Sequence, residues 1–532
     1  MPALLSVVHA AAGSWRRLPP GRRLALTVLV LCQGLFLVHW AAFWPALYSP
    51  DSFTYVWQVS TGNWVSDHSI AYDALVWLSL QGTGNLAVLT LLQTLCASLL
   101  MADTAVALHR IGVRARWTVA ASALVVILPS TGTFFVFVWK DVPYVLGAVL
   151  VFSGCVRLAG LAKDGRLRKA TDRTLTRPAV WRVTGGFTCI LVFRNNGYPA
   201  IAVVVAGVLL LVPGVRLRIL AAGVATTTVA LLLTLVVYPA VGVKLPHEDA
   251  VIALNVADIA VAHKESPSSF TQADLRVMQA VAPLSDWDGK AANCWDADWT
   301  MAAPMNRPAV AADGSQLLAL WSRVLLRTPQ DIAKSRLCHA QIAWGITQGP
   351  RALDGQTSIK APWVSKSMLH WSYDHANWSY HGTNIKQSPY WKTLQKQHPL
   401  SDRLNSLERN YSTSTTRAWI QWLVWRGAIW AYLCYALILR VAWLRRDKSW
   451  LLMLLPTLAL QLTVIAANPA PVWRYMTGPV VIGLLSLPLA TITRSRDRSA
   501  AKRTPALADP DATVALPAGR GGPPNPLQRV VD

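Results

Sequence analysis

The chain is poor in charged residues, since only 14% of its 532 residues are Asp, Glu, Lys or Arg. That fraction is low for a soluble globular protein, and 53% of the residues are hydrophobic. Hydrophobic runs of about 20 residues recur, and each is long enough to cross roughly 30 Å of hydrocarbon. The sequence therefore predicts an all-α polytopic membrane protein.

Several common chemical motifs are missing. The sequence contains no P-loop, no Gly-rich dinucleotide turn between a strand and a helix, no Cys/His zinc spacing and no G-x-S-x-G nucleophile elbow. These absences remove the most familiar nucleotide, zinc and serine-hydrolase sites from consideration. We expect that no cofactor is required; a divalent metal is permitted but not indicated, and no metal ligands are predicted.

Acidic residues are also scarce, because 27 Asp and Glu stand against 50 Lys and Arg, for a net charge of +23. A strongly basic chain can bind nucleic acid. Here, however, the basic clusters lie between apolar runs, as they do in the cytoplasmic loops of membrane proteins. We therefore expect a lipid bilayer, and no nucleic acid, as a partner.

The basic loops also predict orientation. A basic head at 1–23 places the N-terminus in the cytoplasm, and the absence of a small-residue cleavage site suggests that the first apolar run is retained. Alternation of basic and neutral loops predicts about ten spans. The predicted spans are 24–47, 86–108, 117–138, 142–161, 183–193, 198–212, 220–241, 418–439, 451–467 and 472–492.

This topology divides the chain into five parts. Spans 1 to 7 occupy 24–241, with a first outer loop at 48–85, and spans 8 to 10 occupy 417–493. Between them, 242–416 has no spanning run and is predicted to be a mainly helical extracytoplasmic domain. The tail at 494–532 is predicted to be cytoplasmic and disordered, because it is basic and then rich in Pro, Gly and Ala. The expected location is the plasma membrane, with both termini in the cytoplasm.

Cysteine is used sparingly, with seven residues in the chain. Five lie in predicted spans, where cysteine behaves as a small apolar residue. Cys294 and Cys338 lie in the outer domain, where an oxidising environment would favour a disulfide between them. The sequence gives no distance between the two, so their pairing stays open.

Polar residues cluster where predicted spans reach the outer face. The clusters are Asp51 with Ser52, Asp67-His68, Lys140-Asp141, Arg194-Asn195-Asn196 and Arg474-Tyr475, with Arg426 inside span 8. Cations at this depth suit the phosphate of a lipid headgroup. A carboxylate among them suits removal of a proton from a hydroxyl, and Asp51 is the candidate for that role.

Each cluster also has a structural explanation. Lys140 and Arg474 could extend to lipid headgroups. Asp51 and Asp141 could cap helices, His68 could be a surface histidine, and the segment 194–197 could be a tight turn. The argument for a site rests on the expected gathering of these residues at one face.

The motifs resemble those of the GT-C superfamily of polytopic glycosyltransferases, close to the bacterial members grouped with dolichyl-phosphate-mannose mannosyltransferase-like enzymes. The resemblance lies in short stretches that lie in the same order along the chain. They are Pro50-Asp51-Ser52 followed by Trp57-Gln58, Gly62 and Trp64; Asp67-His68; Trp139-Lys140-Asp141-Val142-Pro143; Phe193-Arg194-Asn195-Asn196-Gly197; and Arg474-Tyr475.

The resemblance implies a GT-C-like fold and a function. Asp51 would be the general base of an inverting transfer from a polyprenyl-phosphate sugar to a hydroxyl of a glycan, lipid or protein on the outer face. Asp67, His68, Lys140, Asp141, Arg194, Asn195, Arg426, Arg474 and Tyr475 would bind the substrates. The chain departs from the family in having Ser69 where related loops often carry proline. It also has no acidic pair after span 1, which weakens the case for a metal-dependent variant.

Two other functions stay open at this point. A transporter or flippase for a lipid-linked glycan would also place cations at the headgroup level, but should show internal symmetry. A non-catalytic protein that binds cell-wall glycan would use the aromatic and polar stretch at 370–382, whose rings suit sugars but equally suit the bilayer surface.

Overall fold

The computed structural model describes residues 17–163, 173–289, 291–293, 297–302, 305–346, 384–470 and 472–493. Within these ranges the chain is helical, and β-structure is confined to two isolated bridges, Leu47 with Phe137 and Val65 with Lys244. The all-helical prediction is therefore confirmed for the part of the chain described. Cys294, the stretch at 370–382 and the tail at 494–532 lie outside it.

Nine longer helices make up the first half of the chain. They are α1 (Pro20–Ala42), α2 (Pro50–Thr61), α3 (Ile70–Thr83), α4 (Ala87–Arg110), α5 (Ala115–Ile127), α6 (Asp141–Lys163), α7 (Arg173–Phe193), α8 (Tyr198–Leu211) and α9 (Arg216–Leu232). A short helix at Pro129–Gly132 and a 3₁₀ turn at Thr133–Val136 follow α5.

Eight longer helices follow in the second half. They are α10 (Glu248–Glu265), α11 (Gln272–Val281), α12 (Gly314–Arg327), α13 (Pro329–His339), α14 (Asp402–Ser414), α15 (Gly427–Arg445), α16 (Leu455–Ala467) and α17 (Thr477–Ser486). Arg474 lies in a 3₁₀ turn at Trp473–Met476, directly before α17.

Six segments among the described residues are long and apolar enough to cross a membrane. They are Pro20–Ala42, Ala87–Arg110, Asp141–Ala162, Pro213–Ala240, Gly427–Arg445 and Lys448–Ala467. A seventh arises if Ala115–Ile127 and Pro129–Val136, bent by 74°, count as one span. The predicted count of about ten is not confirmed.

The shortfall has local causes. Predicted span 3 breaks at Pro129, whose ring cannot continue a straight helix. Predicted span 5 is the end of α7, a 21-residue helix whose first half contains three arginines. Predicted span 10 is divided into a 3₁₀ turn, α17 and a second 3₁₀ turn at Leu487–Thr491.

Helix α1 shows how the sequence builds the bundle. Its buried side chains recur every three or four residues, from Leu24 through Val28 and Cys32 to Phe36. That spacing places them on one face, while Val30 is 68% exposed on another. Helix α6 packs closely on α7 at Gly147, where a Cβ would lie only 2.9 Å from the carbonyl oxygen of Gly186. Glycine therefore permits the contact, and close approach at small residues is typical of membrane helices.

Helices α10 to α13 form a separate hydrophobic core around Trp287, within the region predicted to be the outer domain. This region contacts the bundle through α16, since Gln461 Nε2 donates to the carbonyl oxygen of Ala343 at 2.6 Å. Helix α14 lies against the end of α1, where Asn405 Nδ2 donates to the carbonyl oxygen of Ala42 at 2.7 Å.

The cysteines of the predicted spans, Cys32, Cys96, Cys155, Cys189 and Cys434, are free thiols. Cys338, at the end of α13, is disulfide-bonded. Because Cys294 lies outside the described residues, the pairing of Cys294 with Cys338 stays a prediction.

Candidate functional site

Asp51 lies in the first turn of α2. Ser49 is the N-cap, its backbone N–H is bonded to Ser52 Oγ at 2.9 Å, and Pro50 occupies the first helical position. An acid in this turn is favourable because the unpaired N–H groups of the helix start carry partial positive charge. Asp51 is therefore not the helix cap, which is Ser49, and its side chain has another partner.

The loop before α2 is fixed to the segment before α6. Trp139 Nε1 donates to Ser49 Oγ at 2.6 Å, and Ser52 Oγ donates to the carbonyl oxygen of Val138 at 2.8 Å. Backbone bonds of Leu47 with Val136 and Val138, at 3.1 and 3.0 Å, continue the contact. These bonds bring Lys140 and Asp141 beside the start of α2, although about 90 residues separate the two segments.

Two arginines pair with two carboxylates at this point. Arg474 Nη2 lies 2.8 Å from Asp51 Oδ2, and Arg474 Nε lies 3.7 Å from Asp141 Oδ2. Arg194 Nη1 donates to Asp141 Oδ1 at 2.7 Å. The side chain of Asp141 is 2% exposed, whereas Asp51 and Arg474 are 20% and 13% exposed. Solvent, or a ligand, can therefore reach the pair of Asp51 with Arg474, whereas Asp141 is almost fully enclosed.

Aromatic rings hold both guanidinium groups in place. Arg474 lies 5.1 Å from the ring centre of Trp139 and 5.4 Å from that of Tyr475. Arg194 lies 4.6 Å from the ring centre of Tyr475 and 5.0 Å from that of Tyr144. Stacking of this kind favours a cation by about 0.5–2 kcal/mol, so Tyr475 connects the two arginines.

Lys140 and His68 form the other side of the site. Lys140 Nζ lies 2.7 Å from His68 Nδ1. Asp67 Oδ1 accepts from the backbone N–H of His68 at 2.8 Å and from Gln58 Nε2 at 3.1 Å. Asn195 Nδ2 donates to the carbonyl oxygen of Ser66 at 3.0 Å. Asp67 and Asn195 therefore hold the loop that presents His68.

Burial and charge together determine protonation at the site. Burial favours the neutral form of Asp51, but Arg474, His68 and Lys140 outweigh it and lower the pKa of Asp51 to about 2. Burial and the neighbouring Lys140 lower the pKa of His68 to about 4, so the ring is neutral at pH 7 and Nδ1 accepts from the ammonium group. Burial also lowers the pKa of Lys140, against the opposing effect of Asp51 and Asp141.

Arg426 is buried, with 1% of its surface exposed, and its sequence neighbours contact the turn that carries Arg474. It caps the start of α15, where the Trp425 ring lies edge-on to Trp473 with 5.3 Å between ring centres. A Cβ at Gly427 would lie 2.6 Å from the carbonyl oxygen of Met476. The ion pairs of Asp51 and Asp141 described above are with Arg474 and Arg194.

The segment 194–197 is both a tight turn and a part of the site, the two alternatives that the sequence left open. Gly197 N–H donates to the carbonyl oxygen of Arg194 at 3.0 Å, which closes a tight turn between α7 and α8. At the same time Arg194 pairs with Asp141. The turn presents the guanidinium group to the site.

Some residues of the site were missed by the sequence reasoning. Ser49 fixes the start of α2, and Tyr144 supports Arg194. Tyr144 lies three residues after Asp141 and so on the same helical face, a spacing that could have revealed it. The N-cap pattern of Ser49 before Pro50 was a second available signal.

The burial of Asp73 also differs from what the sequence predicts. The sequence at 70–80 suggests an amphipathic helix on the surface, but in α3 the Asp73 side chain is fully buried. Neither carboxyl oxygen has a hydrogen-bond partner among the described residues. Burial and the nearby Asp67 raise the pKa of Asp73 well above its ordinary value.

Within the described ranges, no group of three or more His, Cys, Asp and Glu residues could hold a metal ion. Comparisons with protein-family models, curated proteins and solved structures find no match to this chain. The resemblance to polytopic glycosyltransferases therefore rests on the short sequence motifs alone.

Proposed function

We propose that the chain transfers a sugar from a polyprenyl-phosphate donor to an acceptor hydroxyl at the extracytoplasmic face. The observation that carries this proposal is the partly exposed pair of Asp51 and Arg474 at 2.8 Å, which sits among further cations at one end of an apolar helix bundle. A carboxylate beside cations at headgroup depth suits a reaction between a hydroxyl and a lipid phosphate ester.

The reaction follows from these positions. The donor's polyprenyl chain lies against the spans, and its phosphate binds Lys140, Arg194 and Arg474, with Arg426 nearby. Asp51 accepts the proton of the acceptor hydroxyl while the hydroxyl oxygen bonds to the anomeric carbon from the opposite side. The bond from that carbon to the phosphate oxygen breaks, and the lipid phosphate leaves with the electron pair, stabilised by the cations.

The resting pair of Asp51 and Arg474 favours an order of events. A carboxylate with a pKa of about 2 is a weak base. When the donor phosphate binds Arg474, it competes with Asp51 for the guanidinium group, and burial then raises the pKa of Asp51. Asp51 therefore becomes a stronger base once the donor is bound. Without donor it stays a weak base, which limits deprotonation of an acceptor that has no sugar to attack.

The other residues position these groups. Asp141 orients both arginines, Tyr475 stacks between them, and Asp67 and Asn195 hold the loop of His68. His68 accepts from Lys140 and thereby directs the ammonium group. These residues would act through their neighbours, and their loss should weaken donor binding more than it changes the proton transfer.

The direct test is to incubate the purified chain with a panel of polyprenyl-phosphate sugars and acceptors and to follow release of the lipid phosphate. At least one donor should release lipid phosphate in an acceptor-dependent reaction. A flippase would instead move the intact lipid across a vesicle membrane without release, and a glycan-binding protein would bind the acceptor with no need for Asp51. Either result, with no release from any donor, would contradict the proposal.

A further inference from the structure

A second basic site lies at the other end of α1 from Asp51. It is a shallow surface cavity, open to the outside, of about 330 Å³ and lined by Pro20, Arg23, Leu24, Thr27, His109, Ala115, Arg116 and Val119. Helix α1 has 23 residues, which at 1.5 Å per residue separates its two ends by about 35 Å. The cavity therefore lies at the membrane surface opposite the candidate active site.

The charge of the cavity is positive and uncompensated. Two arginines and a histidine line it, and its lining residues include no acid. Arg23 is half-buried and Arg116 is exposed, with the Arg116 guanidinium 5.1 Å from the ring centre of Trp117. His109 Nδ1 donates to the carbonyl oxygen of Val113 at 2.9 Å, which leaves Nε2 as the ring nitrogen available to a ligand.

The surrounding backbone adds to this positive potential. Both α1 and α5 begin at the cavity, and neither has an acidic residue in its first turn or a side-chain hydrogen bond at its N-cap. First turns usually favour Asp or Glu because their N–H groups carry partial positive charge. Here each first turn contributes an arginine instead, so the charges of the side chains and of the helix ends add.

The cavity also has an apolar side. Leu24 and Val119 line it together with Pro20 and Ala115, and α1 continues from there as an apolar helix with exposed Leu26, Val30 and Leu31. A ligand that fits both sides carries an anionic phosphate on a hydrocarbon chain. Basic pockets between membrane helices are recognised binding sites for anionic lipid headgroups.

We propose that this cavity binds the phosphate headgroup of an anionic phospholipid from the leaflet opposite the candidate active site, with Arg23 and Arg116 as its cationic ligands. The lipid would connect the start of α1 with the junction of α4 and α5. Because α1 leads directly to the loop that carries Asp51, a bound lipid would stabilise the bundle on which the candidate site is built. This inference does not depend on the proposed transfer reaction.

The test uses the purified full chain in neutral detergent, titrated separately with phosphatidylglycerol, phosphatidylcholine and inorganic phosphate. Lipid bound to the protein is counted by native mass spectrometry, and the melting temperature is recorded at each concentration. We expect phosphatidylglycerol to bind and to raise the melting temperature, whereas the other two ligands should have little effect at matched concentration.

The variant Arg116→Gln, at an exposed position, should weaken phosphatidylglycerol binding about fivefold, the ratio that corresponds to ~1 kcal/mol per arginine. The double variant R23Q/R116Q should weaken it about 30-fold. The matched control is R22Q/R114Q, which removes two exposed arginines at the same end of the bundle that are not among the cavity's lining residues. It should keep affinity within about threefold.

Three results would overturn the proposal. Equal losses in R22Q/R114Q and R23Q/R116Q would show that overall charge, not the cavity, attracts the lipid. Equal binding of phosphatidylcholine would show that the headgroup charge is irrelevant. Displacement of the lipid by an equal concentration of inorganic phosphate would assign the cavity to free phosphate. If R23Q/R116Q fails to fold, the single variant Arg116→Gln decides the question.

Discussion

The ion pair of Arg474 with Asp51 offers the sharpest prediction. Replacing Arg474 with Gln keeps a polar but shorter side chain and removes the positive charge 2.8 Å from the carboxylate. Burial is already the largest single influence on the pKa of Asp51, and Arg474 is the first of the charges that oppose it. The pKa of Asp51 should therefore rise in Arg474→Gln.

The size of the change follows from the present state of the group. The pKa of Asp51 is about 2, against an ordinary 3.8. Loss of the main opposing charge should carry it back towards the ordinary value, and a full return would be a rise of about two pKa units, which corresponds to roughly 2–3 kcal/mol. Because the folded-state pKa of Asp51 is depressed, its stabilising contribution is present above about pH 4 and is lost as pH falls towards 2. In Arg474→Gln that acid-dependent loss should disappear.

The measurement is an infrared titration of protonated carboxyl groups in the full chain. Subtracting the spectrum of Arg474→Gln/Asp51→Asn from that of Arg474→Gln isolates the Asp51 band. The matched control is Arg417→Gln, which removes an exposed arginine outside the network and should leave the pKa of Asp51 unchanged. An Asp51 band that still titrates near pH 2 in Arg474→Gln would refute the reasoning.

Three further predictions concern the supports of the site and the outer helices. Trp139→Phe keeps a ring but removes the 2.6 Å hydrogen bond to Ser49, so thermal unfolding should show a loss of about 1 kcal/mol, whereas an unchanged melting temperature would speak against this bond as a support. Gly427→Ala would place a Cβ 2.6 Å from the carbonyl oxygen of Met476, while a Cβ at Gly34 meets nothing within 4 Å; Gly427→Ala should cost about 1–3 kcal/mol and Gly34→Ala should cost nothing, and equal melting temperatures would contradict the packing. Asp274 pairs with Arg323 and Arg327, which hold its pKa well below the ordinary value; Asp274→Asn should therefore be less stable than the parent chain at pH 7, and the difference should begin to shrink as pH falls below about 4, so a difference as large at pH 3 as at pH 7 would be the contrary result.

Much of the membrane-spanning part follows from hydrophobicity alone. Runs of apolar residues predict α1, α4, α6 and α15, because only a helix satisfies every backbone group in hydrocarbon. The ends of these helices then place the polar clusters. This is why Asp51, Lys140 and Asp141 could be expected at one face before their contacts were known.

What hydrophobicity cannot reveal is where a long apolar run bends. Residues 472–492 are apolar enough for a span, yet they fold as two 3₁₀ turns around α17. The turn at Trp473–Met476 is what directs Arg474 to Asp51. The sequence pattern predicts the depth of Arg474 in the membrane but does not predict which carboxylate it pairs with.

The bonds that hold the site together were also beyond the sequence. The contact of Trp139 with Ser49 joins residues that are 90 positions apart, and no local rule predicts such a pair. The burial of Asp73 is a similar case. Its helix shows a surface pattern, but α3 packs on α4, where Tyr72 OH donates to Gln93 Oε1 at 2.8 Å, and the Asp73 side chain is buried.

The most direct test of the account compares Asp51→Asn with the parent chain for donor binding and for sugar transfer. Asn keeps the shape of Asp but cannot accept the proton, so transfer should fall by about 10²–10⁴-fold. Donor binding should be retained, because the cations remain. The control Asp402→Asn, at an exposed position of α14, should transfer normally. Near-normal transfer by Asp51→Asn would contradict the central claim that this carboxylate is the base.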